Sequence, residues 1–393
     1  MQSSGSARLA IVVLAVIVLG GQPGAAPQEA VGRLSDAQFW KLVDDASERG
    51  GAFHSDNFTS NEAGYATVAA MLAKSGPHGG AYLGVGPEQN FNYIAAIRPT
   101  VAVIFDIRQQ AVMQHLLFKA LFELSATRTE FISRLFSVPL PSGVERTAGI
   151  DAIWQRFPAG AGKDEALLAA NQKLVQTHLM QTHGFALTPD DLASMAYVYE
   201  SFFKLGPAID YGGFKTGLST GSTNFAKLTS AADEAGAPRG FLGTDEMFQF
   251  VKSLQSRNLV IPVQADFAGP KALRTIAEWL RARDLRVSAF YISNVEQYLF
   301  NPKIGAAPGG MEINGGWRAF YDNLATLPVD DSSVLIRTPL GSSAASIVQR
   351  RMPDGTMQSE RRPITPFCPV REFLRAVSAG KVVSQNDARL CGR

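Results

Sequence analysis

Apolar and polar positions along the chain follow two rhythms. Short continuous apolar runs rich in β-branched and aromatic residues, "AYLGV" at 81–85, "VAVIFD" at 101–106, "LVIPVQA" at 259–265 and "RVSAFYI" at 286–292, predict strands covered on both faces. Between and after them, three-to-four spacing predicts helices at Pro87 to about Ile97, about Gln109 to Phe136, Asp245–Ser256, Pro270–Arg283 and Val295–Phe300. Upstream, "LSDAQFWKLVDDASE" predicts a helix with Ser35 as N-cap, and "TSNEAGYATVAAMLAKS" a second one capped by Thr59 or Ser60. Downstream lie a helix around "GWRAFYDNLATL", a strand in "SSVLIRTPL", and the Asp-Gly turn of a hairpin in "SIVQRRMPDGTMQSER".

Strands alternating with helices predict an α/β, Rossmann-like fold: a mostly parallel sheet with helices on both faces, a helical insertion and a C-terminal hairpin at one sheet edge. Residues 33–139 hold the N-terminal helices and the first half of this core, and 241–366 the second half. The stretch between, 140–240, leaves the core through the Pro/Gly-rich "SVPLPSGVERTAG" and reads as a mainly helical insertion. Its clearest helix is "TPDDLASMAYVYESFFKL", with Thr188 as N-cap, Pro189 at N1 and Asp191 able to reach back from N3. A Gly/Ser/Thr-rich loop, "YGGFKTGLSTGSTNF", follows it, and 367–393 reads as a tail.

Charge narrows the partners. With 37 Lys+Arg against 35 Asp+Glu the chain has no basic footprint for nucleic acid, which leaves a small molecule or a protein. Residues 1–26 hold Arg8, an apolar run from Leu9 to Leu19 and small residues: too short to span a bilayer, which needs about 20 residues, but suited to a signal peptide. An uncleaved N-terminal anchor is the alternative and the one route to a membrane. The two cysteines, Cys368 and Cys391, read either as a pair stapling the tail in an oxidising compartment, with roughly 3 kcal/mol of stabilisation, or as free thiols in a reducing one. His54, His78, His115, His178 and His183 form no HExxH or CxxC-type set, so no metal site is expected, and His115, in mid-helix, reads as structural.

In open α/β sheets ligands bind beyond the carboxyl ends of the strands. Those ends carry Gly84 and Gly86, then Asp106, then Asp266, then Ser293 and Asn294. Asp106 follows Gly84 by 22 positions, close to the ~20 of a carboxylate that takes ribose hydroxyls. The third glycine of a dinucleotide turn is absent, Gln89 standing in its place, and Glu88 would repel a pyrophosphate at the helix N-terminus. An adenosine ligand without phosphate, such as S-adenosylmethionine, fits better. Each residue also has a plain structural reading: Gly84 and Gly86 as turn formers, Asp106, Asp266 and Asn294 as caps or turn residues. In "FHSDNFTSNE", Asn57 and Glu62 either belong to a cap region or close over the cofactor side.

The run "AYLGVGPEQNFNYIAAIRPTVAVIFDIR", with "VIPVQADFAG" and "FYISNVEQYL", resembles the core of class I S-adenosylmethionine-dependent methyltransferases. More closely, it is similar to an uncharacterised group of exported bacterial proteins with that fold, leptospiral lipoproteins among them. The likeness covers roughly residues 50–135 and 240–345. It implies that Gly84 and Gly86 approach the methionine part of the cofactor, Asp106 the ribose and Asp266 the adenine, while Asn294 faces the transferred methyl. Asn294, Glu296 and Tyr298 would orient the acceptor. The expectation is therefore a periplasmic or secreted methyltransferase-like protein, or else an exported binding or surface-interaction protein that keeps the fold without the chemistry.

Overall fold

The computed structural model describes residues 32–51, 53–157, 163–214, 223–301, 316–337, 345–351, 357–363 and 367–391; the leader, the Gly/Ser/Thr-rich loop at 215–222 and the hairpin turn lie outside them. Its helices, in chain order, begin with α1 (Asp36–Ala46), α2 (Tyr65–Ser75), α3 (Gln89–Ile97), α4 (Gln109–Leu124) and α5 (Arg128–Phe136). Next come α6 (Ile150–Trp154), α7 (Glu165–Thr177), a π-helical turn (His178–Thr182), α8 (Pro189–Leu205), α9 (Phe225–Thr229) and α10 (Asp245–Ser256). The last are α11 (Ala272–Arg281), α12 (Val295–Phe300), α13 (Trp317–Ala325), α14 (Val370–Ser378) and α15 (Gln385–Arg389). Among the described residues no helix is long and apolar enough to cross a membrane.

The strands are β1 (Ala81–Val85), β2 (Val101–Asp106), β3 (Val260–Gln264), β4 (Val287–Ser293), β5 (Val334–Arg337), β6 (Ala345–Arg351), β7 (Met357–Pro363) and β8 (Phe367–Pro369). Six of them form one sheet in the order β3-β2-β1-β4-β5-β8, parallel except for β8. Successive side chains of β2 point to opposite faces, and all six of its residues are buried, so helices cover both sides of the sheet. Pro262, which cannot donate to a ladder, sits in β3 at the sheet edge, where only one flank needs pairing. Strand order runs outward one way through β1, β2 and β3 and the other way through β4 and β5, so it reverses between β1 and β4.

The caps expected at Ser35 and Thr188 are present as capping boxes, with Gln38 and Asp191 reaching back. Elsewhere the structure departs from the sequence reading. The second helix starts at Tyr65, capped by Gly64, because the Thr59 hydroxyl goes to Glu88 and the Ser60 hydroxyl accepts from the Glu62 N–H instead. The long helix ending at Phe136 is two helices: Thr127 accepts from the Glu130 backbone N–H and starts α5 afresh. Residues 140–240, read as a helical insertion capping the core, pack against it. Residues 31–393 form one compact unit, and Phe202 of α8 meets Phe118 of α4 and Phe136 of α5 at ring distances of 5.8 and 6.1 Å. The hairpin β6–β7 stands apart as its own two-stranded sheet; the antiparallel edge of the main sheet is β8, in what read as a tail. Cys368 of β8 is bonded to Cys391, with Cα atoms 5.7 Å apart, so the disulfide fastens α14 and α15 to the sheet.

Candidate functional site

A cleft opens where the strand order reverses, at the carboxyl ends of β1, β2, β3 and β4. This is the position at which open α/β sheets hold their ligands. Gly86, Asp106, Asp266, Asn294, Tyr298, Asn57 and Glu62 all line it, so most of the sequence-predicted residues meet at one place.

The floor is the turn after β1. Gly86 has φ +83°, a conformation that favours glycine, while its Cβ position is open, the nearest atom being Asn57 Nδ2 at 4.0 Å. Asn90 builds this turn: its Nδ2 donates to the carbonyls of Val85 at 3.0 Å, Gly86 at 3.2 Å and Pro87 at 2.7 Å. From below, His115 Nε2 donates to the Gly86 carbonyl at 2.9 Å. Gly84 does not line the cavity. A Cβ there would lie 1.8 Å from Asn90 Oδ1, so its missing side chain makes room for the residue that shapes the turn.

Glu88 also turns away from the cavity. Its Oε1 accepts from the Thr59 hydroxyl and, at 3.2 Å, from the Ser60 backbone N–H, which ties the loop before α2 to the glycine turn. Burial pushes the Glu88 carboxyl up to about 7, against the pull of those two hydrogen bonds. Burial likewise pushes His115 down to about 4, although its bond to Gly86 opposes this. The electrostatic argument against a pyrophosphate at Glu88 is thereby weakened, because the group is buried and half-neutral near pH 7.

Asp106 ends β2 and is held by its own neighbour. Arg108 grips it through Nε to Oδ1 at 2.9 Å and Nη2 to Oδ2 at 2.8 Å, and its backbone N–H adds a third bond to Oδ1 at 2.9 Å. Each carboxylate oxygen has two acceptor positions, so Oδ1 is saturated and Oδ2 keeps one. The remaining Nη1 of Arg108 donates to the Asp56 carbonyl. Asp106 does not cap α4; Arg108 occupies that position.

On the opposite wall, Glu62 Oε1 accepts from the hydroxyls of Tyr291 and Ser293, both at 2.6 Å. These two lie two residues apart in β4 and so share a face. Ser293 takes φ +49°, unusual for a residue other than glycine, where the register between β4 and β5 shifts. Asn294 begins α12 without a side-chain capping bond, and Tyr298 from the same helix meets Phe53 edge-on at 5.7 Å. Asp266 caps its own turn, Oδ1 accepting from the Ala268 N–H at 2.9 Å, while lining the cavity.

Glu296 is the third predicted residue, after Gly84 and Glu88, that does not line the site. It is buried behind α12, where Arg337 Nε and Nη2 hold its two oxygens at 2.7 and 2.8 Å and the Tyr321 hydroxyl adds a bond at 2.7 Å. Sequence reasoning missed Arg108, Tyr291, Phe53 and Tyr211, all of which line the cavity. Tyr291 carried a signal, since it precedes Ser293 by one strand period. Phe53 and Tyr211 lie in loops and carried none.

A family model described as a domain of unknown function (DUF7790) matches residues 57–179 and 214–359, the greater part of the chain. The chain belongs to the DUF7790 family. The matched segments of this DUF7790 chain begin at Asn57 and contain every strand end that builds the cavity; the interruption includes α8. No curated protein matches the chain.

Proposed function

We propose that the sheet is Rossmann-like and that its cleft binds S-adenosylmethionine or a related adenosine ligand that carries positive charge and no phosphate. The observation that carries this reading is the charge of the wall. Glu62, Asp106 and Asp266 line the cleft, whereas the guanidinium of Arg108, the one cationic side chain among the described lining residues, is committed to Asp106 and Asp56. A sulfonium and an ammonium gain from such a wall; a pyrophosphate would be repelled by it. The strand order 3-2-1-4-5 supports the fold reading, since it matches that of doubly wound nucleotide-binding sheets.

Within this reading the free acceptor position on Asp106 Oδ2 takes one ribose hydroxyl, and Phe53 and Tyr298 offer an apolar flank. Methyl transfer from a sulfonium needs positioning more than acid–base help, because the leaving group is already activated. Asn294 and Tyr298 face the cleft to orient an acceptor, and Glu296 drops out of that role. Calorimetry of the full chain with S-adenosylmethionine and S-adenosylhomocysteine is expected to show micromolar binding that Asp106→Ala weakens at least about tenfold, the worth of one hydrogen bond to a charged acceptor. No heat at millimolar ligand would sink the cofactor reading.

The disulfide favours a second reading. Disulfides persist in oxidising compartments, and S-adenosylmethionine is made in the cytosol, so an exported chain suits a non-catalytic binding or surface-interaction protein that keeps the fold. Export is testable apart from binding. A reporter active only outside the cytosol, fused after residue 40, is expected to be active, and non-reducing mass spectrometry with thiol alkylation is expected to find Cys368 and Cys391 blocked. A silent reporter with two alkylated thiols would return the chain to the cytosol and to the enzyme reading.

A further inference from the structure

Away from the cleft, three side chains converge at the far end of α4. Glu123 Oε2 lies 2.6 Å from His178 Nε2 and 2.7 Å from His183 Nε2. The ligand atoms of the three lie within 4.8 Å of one another, and the two imidazole rings stand nearly perpendicular, at 85°. The side chains are only 9, 18 and 10% exposed, so the group is sheltered without being sealed.

The backbone departs from regular structure to make this meeting happen. His183 follows His178 by five positions, and on an α-helix, at 3.6 residues per turn, they would point well apart. Here the turn is π-helical, with the His183 N–H donating to the His178 carbonyl at 3.1 Å, and the wider turn brings positions five apart onto one side. Single π-helical turns are rare and concentrate at functional sites.

We propose that Glu123, His178 and His183 form a binding site for a divalent first-row transition metal, zinc in the first instance. Two histidines and one carboxylate are a ligand set that zinc accepts, leaving a further position for water. The surroundings match what such ligands require. His183 places its other nitrogen, Nδ1, 2.7 Å from Asp36 Oδ1, the carboxylate partner that fixes a metal-binding imidazole, and Asp36 is itself held by Asn258 Nδ2 at 2.8 Å. Lys119 Nζ takes Glu123 Oε1 at 2.7 Å, which leaves Oε2 as the oxygen facing both histidines.

The partners of His183 suit a metal-bound imidazole. A carboxylate oxygen lies against each ring nitrogen, Asp36 Oδ1 at Nδ1 and Glu123 Oε2 at Nε2. With a metal between Nε2 and Oε2, one neutral tautomer satisfies both contacts: the Nε2 lone pair on the ion and Nδ1–H on Asp36. Bonds of about 2.0–2.1 Å put neighbouring ligand atoms about 3.3 Å apart, so Oε2 and each imidazole part by about 0.6 Å while the two imidazole nitrogens, which lie within 4.8 Å, settle at that same spacing. A solvent-open pocket beside the group, lined by Asp36, Trp40, Asp44 and His183, gives an entry path.

The test is a titration of the full chain after dialysis against EDTA. Zinc is expected to bind at about one ion per chain with sub-micromolar affinity, and cobalt(II) is expected to give a visible absorption band that zinc bleaches. His178→Gln and Glu123→Gln should abolish the band, while Asp36→Asn should weaken zinc binding about 10–100-fold by removing the carboxylate behind His183. If wild-type protein takes up no zinc at micromolar free metal, or His178→Gln and His183→Gln bind it as well as wild type, the cluster is an imidazolium between two carboxylates and the proposal falls. Should the variants fail to fold, the wild-type cobalt band decides, its absence being equally fatal. The result is independent of what the cleft binds.

Discussion

Replacing Glu296 by alanine is expected to lower the unfolding free energy by about 3–5 kcal/mol, read as a drop in the urea midpoint, because it strands a buried charge. The Arg337 guanidinium that Glu296 holds is 4% exposed on its side chain, and the carboxylate is 5% exposed. Neither can turn to water when its partner is lost. The Tyr321 hydroxyl would lose its acceptor as well, and Arg337, which also reaches Cys391 Sγ at 3.9 Å and stacks over Phe373, would no longer tie β5 to the C-terminal helices. Replacing both partners by methionine should recover most of the loss, since a buried ion pair often gains little over packed apolar groups of similar volume. The cycle also separates two roles. Had Glu296 oriented a methyl acceptor, alanine would leave the urea midpoint unchanged and reduce turnover alone.

Glu296 also shows where sequence reasoning stops. Its position in the first turn of α12 was legible, but its direction depends on Arg337, which stands 41 positions later on β5. Thr59 was misread for the same reason: it suits a cap locally, yet its hydroxyl goes to the carboxylate of Glu88 across the turn, while the Ser60 hydroxyl closes a tight turn with the Glu62 N–H ahead of the helix. β8 has only three residues and no pattern of its own; its existence comes from pairing with β5. By contrast, the β1–α3–β2 unit was readable because its apolar runs are bounded by Gly and Pro, and Ser35 and Thr188 because capping boxes close within four residues. Most of the cleft was legible for a topological reason. Residues at the carboxyl ends of parallel strands meet whatever the intervening helices do, so Gly86, Asp106, Asp266 and Asn294 were placed together without knowing a single contact. The grip of Arg108 on Asp106 was within reach too, being only two positions away. The metal-type cluster was not, because its two histidines meet only through a π-helical turn that their spacing does not announce.

Glu88→Gln and His115→Gln are expected to change the pH dependence of stability in opposite directions. For Glu88 the native carboxyl sits near 7 against an ordinary value of 4.5. Below pH 4.5 both folded and unfolded chains keep the proton, and the group contributes nothing. Between 4.5 and 7 the unfolded chain gives it up while the native one retains it, so stability falls as pH rises, and above 7 the loss stays constant at about 3 kcal/mol. For His115 the native value is near 4 against an ordinary 6.5. Above pH 6.5 the ring is neutral in both states; as pH falls toward 4 the unfolded chain takes up a proton that the buried ring refuses, and stability drops by about 3 kcal/mol. In the shared window, pH 4.5–6.5, the two slopes oppose and nearly cancel. Glutamine at 88 still accepts from Thr59 and Ser60, and glutamine at 115 still donates to the Gly86 carbonyl, so each substitution removes the titration more than the contact. Relative to wild type, Glu88→Gln should gain stability progressively from pH 4.5 to 7, and His115→Gln should gain it from pH 6.5 down to 4. Urea unfolding at four pH values across this range gives both difference curves. Parallel curves for wild type and variant would mean that the groups beneath the glycine turn titrate as they do in water, and that the turn is held over a wetter floor than its burial implies.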